Sequence, residues 1–363
     1  MSTSAGAASA LAPRPDAWQR NVFAVTAASF MGYTGFTLVM PFLPLFIGRL
    51  GVTDVGQVAM WTGVSLGITP ALTALLSPAW GRLGDRFGRK IMVERSLVSF
   101  VVLMTAMAFV TQAWHVLAIR AVQGLFAGYG SLSVAMAAES APRDRMPNAI
   151  GLVQTAQRIG PGVGPVVGGI LAGLVDLRRV FLLTAGFYAA GLVIVHLLYD
   201  DRATHAAPAD PADSGRVTFR DVLAFQNFLL MMVVIFGLQF VDRSFGPVLP
   251  LWVEQTGVAP SRVALTSGVL FSIMTGASLL FGVGIGAAMT ASYSAAGAVI
   301  PPGAHGAGFG VLTSASLVGM ASSPFIAGFV GGASLRIVFF VDAVVFAALA
   351  VAVRRLMTAA AAA

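Results

Sequence analysis

Apolar residues follow one another along this chain in long runs, with charged residues confined to short segments between them. A run of about 20 mostly apolar residues is long enough to cross a lipid bilayer as a helix. Nine runs meet that requirement: 21–47, 57–79, 91–112, 114–138, 149–175, 180–199, 227–252, 307–331 and 336–353. The pattern predicts an all-α integral membrane protein.

A further uncharged stretch, residues 263–300, is too long for one ordinary span. As a straight helix it would measure about 57 Å, against about 30 Å of hydrocarbon. If this stretch crossed the membrane twice, every later span would run in the opposite direction across the membrane. We therefore favour one broken or strongly tilted passage. We therefore expect about ten spans, within a range of ten to twelve.

The composition argues against a soluble protein. Apolar residues make up 57% of the chain and charged residues 10%, whereas soluble domains carry about 25% charged residues. There is no cysteine, and the four histidines are scattered. No metal site, cofactor site or catalytic group of residues is predicted, and the chain is not expected to be an enzyme. The net charge of +7 comes from short basic clusters without interleaved aromatics, so no nucleic-acid partner is expected.

The basic residues predict the orientation of the chain, because Arg and Lys accumulate in cytoplasmic loops. With a cytoplasmic N-terminus, fourteen basic residues lie on the cytoplasmic side: Arg14, Arg20, Arg82, Arg86, Arg89, Lys90, Arg95, Arg143, Arg145, Arg202, Arg216, Arg220, Arg354 and Arg355. Five lie on the other side: Arg49, Arg178, Arg179, Arg262 and Arg336. Both termini are therefore predicted to be cytoplasmic.

Residues 200–226 are polar and contain prolines, which is typical of a solvated linker. The predicted organisation is a cytoplasmic tail (1–20), an N-terminal half of six helices (21–199), a cytoplasmic linker (200–226), a shortened C-terminal half (227–355) and a cytoplasmic tail (356–363). No cleaved signal peptide is predicted.

The two halves contain an internal repeat. PFLPLFIGRLGV, residues 41–52, aligns without a gap on PVLPLWVEQTGV, residues 247–258, at an offset of 206. Further on, Pro142, Gly151, Gly160, Pro165 and Gly169 align on Pro301, Gly310, Gly319, Pro324 and Gly328 at an offset of 159. The second half therefore lacks 47 residues, the counterpart of Thr73 to about Arg120. Repeated halves are typical of transporters.

Four motifs together resemble the major facilitator superfamily, and within it the drug:proton antiporters. They are PFLP at the end of the first span, GRLGDRFGRK at residues 81–90, IRAVQG at 119–124 and GPGVGPVVGG at 160–169. The resemblance implies a helical bundle of two pseudo-repeated halves in the inner membrane, acting as a monomer. It also implies a small-molecule substrate exchanged for protons, with the lipid bilayer as the remaining partner.

The resemblance assigns roles to two of these motifs. In the cytoplasmic gating loop, Asp85 is expected to face a helix N-terminus and Arg89 to pair with Glu139; the loop residues are Gly81, Asp85, Arg86, Gly88 and Arg89. A plain topology anchor is the alternative. The antiporter motif, with Gly160, Gly164, Pro165, Gly168 and Gly169, is predicted to be a hinge and a tight helix contact. Ordinary close packing has the same geometry.

Ionisable residues within spans are costly and usually functional. Arg120 should face the internal cavity or a carboxylate, and we predict Asp242 as its partner across the two halves. The predicted substrate and proton pathway comprises Arg120, Gln123, Asp242, Arg243, Arg158, Tyr33 and Gln154. An outer-edge pair is the alternative for Asp242 and Arg243. Asp342 is interpreted as peripheral or structural.

These observations favour an exporter of small amphipathic compounds that works by proton antiport and alternating access. Two alternatives remain: an importer of a small solute with the same fold, or a non-transporting membrane protein that binds or senses a ligand. The second alternative follows from the 47 missing residues, which remove part of the second half.

Overall fold

The protein is a bundle of α-helices, described by a computed structural model over residues 17–142, 144–200, 228–280 and 305–361, with some side chains inside those ranges left out. The described ranges contain no strand. Their thirteen helices are α1 (Ala17–Leu38), α2 (Leu43–Arg49), α3 (Val55–Phe87), α4 (Arg89–Met107), α5 (Ala113–Leu125), α6 (Tyr129–Ser140), α7 (Met146–Leu174), α8 (Leu177–Leu198), α9 (Phe228–Ser244), α10 (Leu249–Gln255), α11 (Pro260–Leu280), α12 (His305–Ala333) and α13 (Leu335–Ala361).

Within the described ranges these helices make ten passages through the bundle, because the pairs α1–α2, α5–α6 and α9–α10 each act as one broken passage. Six passages are long and apolar enough to cross a membrane, and the pair α1–α2, bent by 46°, makes a seventh. We call the end of the bundle where α1 begins the N face, and the other end the opposite face. This architecture confirms the prediction of an all-α membrane protein.

The internal repeat has the same helix bounds in both halves. Helices α2 and α10 each have seven residues and begin at Leu43 and Leu249, which are 206 positions apart. Helices α7 and α12 each have 29 residues and begin at Met146 and His305, which are 159 positions apart. The two offsets found in the sequence therefore separate equivalent helices, α7 from α12 and α2 from α10.

Helix α11 occupies the first part of the anomalous stretch 263–300. It runs antiparallel to α7, since Gly169 packs on Ala264 and Gly268 packs on Pro165. Its 21 residues measure about 30 Å, enough for one crossing. Helix α11 therefore ends at the N face, and α12 begins at that face. The rest of the stretch, from residue 281, lies outside the described residues, as do residues 1–16 of the N-terminal tail and 201–227 of the linker.

The predicted cytoplasmic gating loop is mostly helical, which corrects the expectation of a loop. Helix α3 continues through the motif to Phe87, and α4 begins at Arg89. Gly88 alone separates them, with φ of +94°, a conformation that favours glycine. At 33 residues, α3 is about 50 Å long and extends past the hydrocarbon layer at the N face. Hydropathy marks where lipid contact ends, and a helix can continue beyond that point.

The break between α5 and α6 was not predicted from the hydropathy pattern. Gly128, at φ of +116°, interrupts the passage, and the free carbonyl groups are satisfied by neighbouring helices. The Trp80 indole donates to the Leu125 carbonyl at 2.9 Å, and the Ser96 hydroxyl donates to that of Phe126 at 2.8 Å. The Arg95 guanidinium also donates to the Phe126 carbonyl, at 3.2 Å, and its Cζ lies 3.6 Å from the Trp80 ring centroid.

Replacing Arg95 by leucine is expected to lower the thermal stability of the detergent-solubilised protein. The change removes a charged donor from a broken helix and a cation–π contact, which together contribute about 1–3 kcal/mol. Thermal unfolding followed by circular dichroism measures the loss. The control is Arg145→Leu, since Arg145 is an exposed residue paired with its neighbour Asp144. Equal melting temperatures for the two variants would contradict the assigned contact.

Candidate functional site

Two close helix contacts join the halves, and both lie toward the opposite face. Helix α3 packs on α12, where a Cβ added to Gly63 would lie 2.8 Å from the Cα of Gly328. Helix α7 packs on α11, where a Cβ added to Gly169 would lie 3.0 Å from the Cα of Leu265. Gly169 and Gly328 are 159 residues apart and so occupy equivalent places in the repeat. The two contacts, which we call the seams, are therefore copies of each other.

The glycines of α7 also pack against α1, within the N-terminal half. A Cβ added to Gly160 would lie 2.9 Å from the backbone nitrogen of Thr34, and one added to Gly164 would lie 2.6 Å from the Thr34 carbonyl oxygen. Gly168 meets Leu38 in the same way. The expected close approach is present, with Pro161 and Pro165 inside one continuous helix. Since Pro165 and Gly169 touch α11, this helix is held between α1 and the second half. A hinge at the motif stays a prediction.

Arg120 is buried inside the N-terminal half, with 2% of its surface exposed. Its guanidinium donates to the Gln123 side-chain oxygen at 3.1 Å and lies 5.6 Å from the ring centroid of Phe36 on α1. The backbone carbonyl of Arg120 accepts from the Thr69 hydroxyl of α3 at 2.8 Å. The residue is therefore held by α1 and α3 and by the next turn of its own helix.

Polar groups without a partner accumulate around Arg120. Within the described part of the chain, six buried side-chain atoms near this region have no hydrogen-bond partner: Ser29 Oγ, Thr34 Oγ1, Arg120 Nη2, Gln123 Nε2, Tyr129 OH and Tyr188 OH. Most buried polar groups in native proteins are paired with protein or water. This set, which we call the N-half polar cluster, therefore has unused hydrogen-bonding capacity inside the N-terminal half.

The predicted pair between Arg120 and Asp242 is wrong. The Arg120 guanidinium is bonded to Gln123, and Asp242 pairs with its neighbour Arg243 at 3.1 Å. The side chains of adjacent helical residues point about 100° apart, so an ion pair between Asp242 and Arg243 was not expected. Both lie in the last turn of α9, however, and a long, flexible arginine side chain can reach back to its neighbour. The Asp242 side chain is 45% exposed, which fits the alternative interpretation of an edge pair.

The other predicted pathway residues lie on α1 and α7 of the N-terminal half. Tyr33 lies in α1, with its ring centroid 6.4 Å from that of Tyr129. Gln154 and Arg158 are exposed on α7. Arg158 precedes Pro165 by seven residues, or two helical turns, so it lies on the side of α7 that meets the second half further along. Their roles stay predictions.

At the N face, Arg89 and Glu139 form the ion pair expected for the gating loop. Their side chains lie 3.1 Å apart and are 26% and 30% exposed. The pair joins the start of α4 to the end of α6. Arg86 is exposed beside Phe87, and the side chain of Asp85 lies outside the described residues. Gly81 lies within α3.

Reversing either charge, Arg89→Glu or Glu139→Arg, is expected to lower transport, and combining the two changes is expected to restore part of it. A partly buried ion pair of this kind contributes on the order of 1 kcal/mol. A double-mutant cycle on the initial transport rate measures the coupling between the two positions. If the effect of the double variant on the transport rate equals the sum of the two single effects in free energy, the two residues are not coupled during transport.

A family model described as the Major Facilitator Superfamily matches residues 25–280, more than half of the chain. The chain belongs to the major facilitator superfamily. The matched residues include the gating motif, Arg120, the glycines of α7 and the pair Asp242–Arg243. These features of the site therefore lie within the superfamily domain.

Among curated relatives, the multidrug resistance protein MdtG of Proteus mirabilis is 31% identical over 273 residues, which cover 74% of this chain and 67% of the relative. MdtG of Serratia proteamaculans is 34% identical over 269 residues, covering 74% and 65%. The PmrA multidrug efflux pump homologue of Lactococcus lactis is 31% identical over 255 residues, covering 70% and 62%. The chain thus spans about two thirds of the length of these relatives.

The fold is shared with solved superfamily structures. A bacterial homologue of the human lysosomal transporter Spinster, crystallised in an inward-facing and occupied conformation, superposes with a TM-score of 0.70 at 16% identity, covering 88% of this chain and 83% of that chain. A point mutant of the nucleoside transporter NupG gives a TM-score of 0.65 at 11% identity, covering 92% and 99%. These similarities establish the fold of this superfamily member.

Sequence reasoning missed several residues. Tyr188 of α8 contributes to the N-half polar cluster, and Trp80 and Arg95 support the broken passage α5–α6. Asp342, interpreted as peripheral or structural, is 4% exposed, so it is not peripheral. A carboxylate within an apolar run was the available signal for Asp342. For Tyr188 and Trp80 the chain offers no such signal, because aromatic residues occur in eight of the nine predicted spans. Within the described ranges, no group of three potential metal ligands was found.

Proposed function

We propose that this chain is a secondary active transporter that exports small amphipathic compounds in exchange for protons. The observation that carries the proposal is the pair of equivalent seams, α3 against α12 and α7 against α11. Two repeated halves that touch through small residues at one face can rock about a central site and open it alternately to each side. The names of the curated relatives, multidrug resistance protein and efflux pump, support the direction and the class of substrate.

The N-half polar cluster supports a substrate site of few fixed charges. Arg120 supplies one cation, and the remaining members are amide, phenol and hydroxyl groups beside aromatic rings. Such a surface suits apolar compounds that carry a few polar groups. Sugars and phosphates would need many more hydrogen-bonding partners.

The N face is proposed to be cytoplasmic. In the described residues it carries Arg20, Arg86, Arg89, Lys90, Arg95, Arg145 and Arg354, whereas the opposite face carries Arg49, Arg178, Arg179, Arg262 and Arg336. Basic residues are retained on the cytoplasmic side. The seams would then close the outer side of the transporter, and we propose that the protein acts as a monomer in the inner membrane.

Two measurements test the proposal. Expression in a drug-hypersensitive bacterium is expected to raise resistance to amphipathic dyes such as ethidium, and Arg120→Ala is expected to abolish the gain. In proteoliposomes, an imposed pH gradient is expected to drive ethidium against its concentration gradient. Uptake in the opposite direction in cells would favour an importer. Binding of ethidium without flux would favour the non-transporting alternative, which the shortened second half keeps open.

A further inference from the structure

Asp342 is a buried carboxyl group inside the second half. It lies on α13, seven residues after Leu335, and therefore about 10 Å from the end of that helix at the opposite face. A small cavity beside it is lined mainly by apolar side chains of α9, α12 and α13, among them Phe240, Ile326, Val330 and Val338. Among the described residues its one hydrogen-bond partner is Ser244, and its Oδ1 atom has none.

The hydrogen bonds of Ser244 differ between the ionised and the protonated form of Asp342. The Ser244 Oγ atom lies 2.6 Å from Asp342 Oδ2 and 2.9 Å from the Val241 carbonyl oxygen. A hydroxyl group has a single proton to donate, and neither neighbouring oxygen has a proton of its own when Asp342 is ionised. With Asp342 ionised, that one proton has to be shared between the two oxygens. With Asp342 protonated, Asp342 donates to Ser244 and Ser244 donates to Val241, so each contact has its own proton.

The charged groups of the surrounding helices whose side chains the structure describes form no ion pair with Asp342: Asp242 and Arg243 of α9 pair with each other, and Arg336 and Arg354 lie near the ends of α13. His305 is the first residue of α12, and Arg355 follows Arg354 in α13. Residues 281–304 contain no acidic or basic residue. An unpaired carboxylate in an apolar site is unfavourable, and binding a proton removes that charge.

We propose that Asp342 and Ser244 form the proton-binding site of this transporter, separate from the N-half polar cluster. When the proton leaves to water, Asp342 becomes a carboxylate, and Ser244 turns its hydroxyl from Val241 to that carboxylate. Ser244 ends α9 and directly follows Asp242 and Arg243, so the exchange of partners changes the last turn of α9, where the broken passage α9–α10 bends. This inference rests on the proposed proton antiport and assigns its coupling residue.

The test compares Asp342→Asn with the wild type in proteoliposomes, with ethidium as the probe. Exchange of ethidium across the membrane without a pH gradient needs no net proton movement, whereas accumulation driven by a pH gradient does. Asp342→Asn is expected to keep exchange at a rate comparable to the wild type and to reduce gradient-driven accumulation on the order of tenfold or more. Asp144→Asn, which changes an exposed carboxylate at the N face, is the matched control and is expected to retain both.

Accumulation by Asp342→Asn at the wild-type level would overturn the inference and leave the proposed function standing. Loss of exchange together with accumulation would also overturn it, since the role assigned to Asp342 is confined to the proton. A wild type that fails to accumulate ethidium would instead refute proton antiport itself. Infrared difference spectra between acidic and alkaline buffer give a readout without transport: one carboxylic acid band that is present in the wild type and in Asp144→Asn is expected to be missing from Asp342→Asn, while the bands of the other carboxyl groups remain.

Discussion

Replacing Gly169 by leucine is expected to abolish ethidium export while leaving the protein folded in the membrane. The new side chain would collide with the backbone of α11, because even a Cβ atom would lie 2.7 Å from the Ala264 carbonyl oxygen. Overpacking costs about 1–3 kcal/mol, and here it acts on the conformation in which the halves touch. The closed population and the transport rate should therefore fall by roughly tenfold or more.

Gly151→Leu is the matched control, since Gly151 lies on the same helix and a Cβ there would meet nothing within 4 Å. The absence of native cysteine allows a second readout with a single introduced cysteine, Ser267→Cys, because Ser267 is fully buried next to Gly268 of the same seam. Opening of the seam should raise its labelling rate in Gly169→Leu. Wild-type export by Gly169→Leu would show that the seam does not close during transport. Because the two seams are equivalent in the repeat, Gly328→Leu should cause the same loss of ethidium export through the seam between α3 and α12.

Replacing Arg120 by methionine is expected to abolish transport without lowering the stability of the protein. A charged residue at membrane depth is unfavourable by about 2.5–3.5 kcal/mol on insertion scales, and among the described residues the guanidinium has no carboxylate partner. Methionine fills a similar volume without charge. The melting temperature should therefore stay the same or rise, while resistance to ethidium falls to the level of cells without the transporter. Thermal unfolding in detergent and growth in ethidium measure the two effects.

The control for Arg120→Met is Arg49→Met, because the Arg49 side chain is 63% exposed and pairs with Asp176 at the opposite face. That variant should keep both stability and transport. A large fall in the melting temperature of Arg120→Met would identify Arg120 as a structural residue. Retained resistance would remove Arg120 from the transport pathway.

The expectations that succeeded were those in which short-range physics dominates. Long, mostly apolar runs in the regions of α8 and α13 favour a lipid environment whatever the rest of the chain does. The pair Arg89–Glu139, present in the structure, was expected from the family resemblance of the gating motif, with Glu139 near the end of the fourth span as the acid. The repeat was visible because prolines and glycines mark backbone geometry, and its offsets separate helices with the same bounds.

The expectations that failed concerned partners chosen across the bundle. Arg120 was assigned to Asp242 because both are ionisable and within spans, yet hydropathy contains no information on how the helices rotate about their axes. Gln123, three residues away, is the nearer partner. Asp342 was set aside for the same reason: its position in the last span does not reveal that Ser244, 98 residues earlier, faces it.

The sequence by itself determined that this is a membrane protein of repeated helical halves, with most of its basic residues at one face. Those properties follow from the cost of exposing backbone and charge to hydrocarbon, which acts on each segment separately. The tertiary structure decided which side chains meet: the seams at Gly169 and Gly328, the unpaired groups around Arg120, and the contact of Asp342 with Ser244. These contacts depend on the rotation and depth of each helix against its neighbours, which side-chain packing sets only when the whole bundle has assembled.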